Sequence, residues 1–106
     1  MQKKINIAKD FSPYPYGRHT QHSKTSGERF REDFLLPALK DYDEVIINLD
    51  GTEGYGSSFL DEAFGNLVRV SKVAKDEALR KLKFISLNDP SLIDEITMYI
   101  RQAKND

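Results

Sequence analysis

The run Val45-Ile46-Ile47-Asn48-Leu49 passes directly into Asp50-Gly51-Thr52-Glu53-Gly54-Tyr55-Gly56 and then into a stretch opening on Ser57-Ser58. A short run, apolar except at Asn48 and bounded by Asp43-Glu44 and Asp50-Gly51, predicts a central buried strand. The glycines supply positive φ angles and close approach where the chain turns. Phe59, Leu60, Ala63, Phe64, Leu67 and Val68 then recur at helical spacing. A strand, a glycine-rich loop and a helix in this order make the kind of crevice where open α/β sheets place ligands and partners.

The rest of the chain can be arranged around that unit. Residues 82–87, with Phe84 and Ile85 inside, read as another strand, so 45–87 is a βαβ unit that crosses over right-handed with parallel strands. Residues 4–8 alternate polar and apolar and predict a half-buried strand at a sheet edge. Two prolines and a glycine in 11–17 mark a turn-rich connector. The polar stretch 18–26 reads as a loop, with room for a short strand around 17–20. From Ser26, a candidate N-cap, Phe30, Phe34, Leu35, Ala38 and Leu39 share one helical face. Pro37 predicts a bend there, with 38–40 as a final loose turn. Asp89-Pro90 opens a last helix, because proline suits a first turn that needs no backbone donor. Its stripe is Leu92, Ile93, Ile96, Tyr99, Ile100 and Ala103. The expected fold is α/β: a small mixed sheet with helices packed on it, forming one domain over 1–106.

With 106 residues, the chain can bury one core without staples, and it has no cysteine for disulfide or thiolate chemistry. No segment approaches the ~20 apolar residues of a membrane span, and no signal peptide is visible, so a cytoplasmic protein is expected. Charge is uneven despite a net of −1. Residues 1–31 carry seven Lys/Arg and two Asp/Glu, whereas 32–66 carry one Lys and nine acids. That acidity surrounds the serine loop and argues against nucleic acid or an acidic membrane surface docking there.

Several residues carry candidate chemistry. Ser58 is placed to cap the helix, with Asp61 at the third helical position facing the positive end of the helix. Ser57 would then lie just outside the helix, open to a partner. A phosphate on Ser57 would meet Asp50, Glu53, Asp61 and Glu62 and disturb this surface, which is the physics of an off-switch. Gly51, Gly54 and Gly56 make no Walker loop, since no lysine precedes the serine. Gly65 is read as permitting close packing on the sheet. Arg18, Glu28 and Arg31 form a second cluster, readable as an anion site or as ion pairs. His19 and His22 have no patterned third ligand, so no metal is expected, nor is any cofactor.

Two motif groups carry a resemblance: Gly17-Arg18, Ser26-Gly27-Glu28-Arg29-Phe30-Arg31 and Leu36-Pro37, then Asn48-Leu49-Asp50-Gly51 and Gly54 through Gly65. Over 17–67 the chain resembles the bacterial STAS-like domain family of unknown function, relatives of sulfate-transporter and anti-sigma-factor-antagonist domains. The resemblance implies a sheet with helices on one side and a non-enzymatic role in protein–protein regulation. In true antagonists a kinase of the histidine-kinase-like ATPase fold phosphorylates a serine in an Asp-Ser-Ser-Gly context. Ser57 occupies that place here, with Gly56 where the aspartate would be and Phe59 where the glycine would be. The candidate docking surface is Asp50, Gly54, Gly56, Ser57, Ser58 and Asp61. The alternative is a small anionic ligand or nucleotide held by Arg18, Glu28 and Arg31.

Overall fold

A computed structural model describes residues 1–104. Strand β1 (Gln2–Asn6) leads into one wide helical turn, Ile7–Phe11. After a long connection comes helix α1 over 27–41, built from Gly27–Phe30, a wide π-turn Arg31–Leu35 and Leu36–Asp41. Strand β2 (Glu44–Asn48) follows, and then helix α2 over 57–69, whose middle, Asp61–Gly65, is again a π-turn. Helix α3 (Lys75–Lys81), strand β3 (Leu82–Ile85) and helix α4 (Ser91–Gln102) complete the order.

The three strands lie in the order β1-β2-β3 and both pairings are parallel, with Ile5 opposite Ile47 and Ile47 opposite Phe84. The strand expected at 45–49 is therefore central. The sheet is parallel throughout rather than mixed, because 17–20 forms no strand. That segment is held by turns instead: Gly17 has a φ of +84°, and the His22 and Ser23 amides donate to the His19 carbonyl.

One face of the sheet carries Ile5, Val45, Ile47 and Leu82 into the core, where the stripe from Phe59 to Val68 meets Phe30, Leu35, Ile96 and Ile100. The opposite face, with Lys4, Ile46 and Lys83 side by side, is partly open. β2 is thus buried on one face only, not on both. Among the described residues no helix is long and apolar enough to cross a membrane.

Local chemistry explains the helix ends. Ser26 caps α1, its hydroxyl accepting from the Arg29 amide at 3.1 Å. Pro37 neither ends α1 nor leaves a loose turn. The π-turn just before it closes with the Leu36 amide on the Arg31 carbonyl, and Pro37 falls in the first turn of the next helical segment. Helix α3 carries too weak an apolar stripe to be foreseen, with only Ala78 fully buried. An aromatic chain fixes the start of α2: Phe59 packs on Phe30, Phe11 and Tyr55, and Phe64 packs on Phe84.

Candidate functional site

The loop leaving β2 is built from backbone-directed bonds. Asn48 Oδ1 accepts from the Asp50 amide at 2.9 Å. The two Asp50 oxygens accept from the Leu87 and Asn88 amides, each at 3.0 Å, and so tie this loop to the connection between β3 and α4. Tyr55 turns inward and donates to the Leu49 carbonyl at 2.8 Å, while burial pushes its phenol up to about 12. Gly51 and Gly54 adopt φ of +94° and +123°, where a side chain would be strained. Gly56 is ordinary extended backbone.

Gly56, not Ser58, is the N-cap of α2, so Ser57 and Ser58 are the first two helical residues. The cap residue has no side chain to donate or accept, which leaves both serines uninvolved in capping. Both are exposed while the following Phe59 and Leu60 are fully buried. A Cβ added at Gly54 or Gly56 would meet nothing within 4 Å, so the approach to the serines is open.

Beside Ser57 lies an open cavity of about 330 Å³ lined by Arg18, Ser57, Asp61, Arg69, Tyr99 and Gln102. Asp61 Oδ2 takes Arg18 Nη1 at 3.0 Å and Arg69 Nη2 at 2.8 Å. Burial pushes the Asp61 carboxyl up, but the hydrogen bonds from Arg69 and Arg18 outweigh it and hold it below its ordinary value. Tyr99 donates to Glu95 at 2.7 Å, and that bond raises the phenol. A charge on Ser57 would therefore face two guanidinium groups and, of the four acids expected there, Asp61 in the cavity lining.

Directly behind, Arg31 and Glu62 are each 3% exposed. Arg31 Nη1 reaches Glu62 Oε2 at 2.7 Å and also donates to the Glu62 carbonyl, while Asn66 Nδ2 donates to the same carboxylate at 2.8 Å. Arg31 Nε is buried without a hydrogen-bond partner.

Arg18, Glu28 and Arg31 do not converge on one ligand space. Arg31 is sealed against Glu62, and Glu28 instead accepts from the Thr20 amide at 2.9 Å, the main cause of its lowered carboxyl. Arg18 alone of the three opens to the cavity. Arg69, Tyr99 and Gln102 were not foreseen. A signal for Arg69 was present in the spacing Asp61-Gly65-Arg69, an acid and a base two turns apart with no side chain between. A Cβ on Gly65 would sit 2.5 Å from Asp61 Oδ1 and 2.9 Å from Arg69 Nη2, so this glycine makes room for the ion pair. Among the described residues no group of three His, Asp or Glu comes together to hold a metal.

A parallel three-stranded sheet with helices, and an exposed helix start at the carboxyl end of its middle strand, define an α/β protein of STAS-like build. Residues 26–92 match the STAS-like domain family of unknown function, and the chain belongs to that family. No curated protein and no solved structure matches it.

Proposed function

We propose that this chain is a non-enzymatic regulatory module that docks a protein partner through residues 50–62, the loop after β2 together with the exposed start of α2. Ser57 is the contact or switch position. One observation carries this reading: Ser57 and Ser58 stand exposed on a rigid first turn, anchored by buried Phe59 and Leu60, with open space above Gly54 and Gly56. A rigid base under an uncovered polar rim is how interfaces present their contacts. The family's relation to anti-sigma-factor antagonists points to a histidine-kinase-like ATPase as the partner class, and to phosphorylation of Ser57 as the means of switching.

The test is capture of such an ATPase from the source organism by wild type and by Ser57→Glu, with matched thermal stability of the two baits. The expected result is retention by wild type and an affinity about tenfold or more lower for the charged variant, as when a charge enters the middle of a docking surface. Equal capture by both removes Ser57 from the account.

A further inference from the structure

The cavity beside Ser57 holds more donors than its own acid can use. One oxygen of Asp61 serves both Arg18 and Arg69. A guanidinium carries five N–H donors. Arg69 places one more, Nε, on Asn66 Oδ1 at 2.7 Å, while Arg18 is 42% exposed. The neighbouring acids take only part of that donor capacity: Glu62 is hydrogen-bonded by Arg31 and Asn66 and stands 3.7 Å from Arg18 Nη1, and Glu95 accepts from the Tyr99 hydroxyl. Along the cavity wall two guanidinium groups thus face one lining carboxylate, Asp61, with buried Glu62 3.7 Å behind Arg18 and with the Ser57 hydroxyl and the Gln102 amide beside them.

The two arginines reach the cavity from different elements, Arg18 from the segment before α1 and Arg69 from the end of α2. A planar carboxylate is satisfied by a single guanidinium fork. A tetrahedral anion with three terminal oxygens can take donors from both arginines and from a hydroxyl at once. We propose that this cavity binds a phosphoryl group, as inorganic phosphate or as the head of a small phosphate monoester, between Arg18 and Arg69. The site goes beyond the docking surface and needs no protein partner.

The experiment is an amide and guanidinium nitrogen–proton NMR titration of the intact chain. Inorganic phosphate and glycerol phosphate are the probes, at ionic strength held constant with chloride. Saturable shifts are expected at residues 57–61 and at Nε of Arg18 and Arg69, and the tighter of the two probes assigns free ion or monoester. Arg18→Gln and Arg69→Gln each weaken binding about tenfold, the loss of one charge-assisted contact.

Asp61→Asn tightens binding about fivefold, the effect of removing one like charge at roughly 4 Å in water. An ion-pair cluster with only a structural role would not respond in that way. Thermal melts confirm that each variant is folded. Shifts matching those from chloride alone, or surviving in the Arg18→Gln/Arg69→Gln double variant, overturn the site. Partner capture is read separately, so either proposal can fail alone.

Discussion

Arg31 and Glu62 come from helices that the sequence keeps 31 residues apart, yet they bury their charges against each other. Removing two ions from water costs several kcal/mol each, and the pair recovers this only with good geometry and further bonds. The geometry is good, and the second bond to the Glu62 carbonyl and the Asn66 amide on the carboxylate supply further bonds, although Arg31 Nε stays without a hydrogen-bond partner. Arg31→Met leaves the buried Glu62 charge with only Asn66 and a longer 3.7 Å pair to Arg18, so we expect a loss of about 3 kcal/mol in urea unfolding. Arg31→Met with Glu62→Leu removes both charges and regains most of it. Additive losses in the double variant would show that the two side chains act independently. The sequence displays Arg31 within a recognisable cluster, but not its partner, because which acid a buried arginine finds depends on how two helices cross.

At the scale of elements, that crossing is set by close approach. Gly27 lies where α1 meets α2, and a Cβ there would sit 2.5 Å from the Phe59 carbonyl oxygen and 2.9 Å from Glu62 Cβ. Alanine favours helices over glycine by at most about 1 kcal/mol, and less at a first turn. A collision with backbone outweighs that gain, so Gly27→Ala is expected to lower stability by about 1–3 kcal/mol. It should also shift the amides of 57–63 in NMR spectra. A neutral or stabilising result would mean that the helices part easily.

Elements with strong periodic patterns were legible in advance: the central strand, the Phe59–Val68 stripe, the last helix and the Ser26 cap. The two π-turns inside α1 and α2 were not, because each inserts its extra residue without a change in composition. One absorbs Pro37 into α1, and the other carries Asp61 and Glu62 toward the arginines. The start of α2 was misplaced by two residues for a related reason. Serine is the better cap on propensity alone, and only the packing of Phe59 and Leu60 makes the helix begin at Ser57.

Over the whole molecule, the long segment before α1 is fastened to the body by a few bonds at its far end. The Gly27 and Glu28 amides donate to the Gly17 and Arg18 carbonyls, Glu28 accepts from Thr20, and Arg18 grips Asp61. Two of these fastenings depend on ionised carboxyls, and both carboxyls lie below their ordinary values in the folded chain. A group that is more acidic folded than unfolded contributes its full stabilisation above the unfolded value, near pH 4. That contribution disappears as the pH falls through the folded value.

Wild type should therefore lose thermal stability steeply between about pH 5 and about pH 3. Faster hydrogen exchange at the Thr20 amide should accompany the loss. The Glu28→Gln/Asp61→Asn double variant should start lower at neutral pH and fall less over the same interval, so the two curves converge in acid. Asp43, also held low by its bond to the N-terminal ammonium, is present in both chains and cancels in the difference. Parallel melting curves would show that the segment is held by its backbone bonds alone, with Arg18 free to leave Asp61 at no loss to the fold.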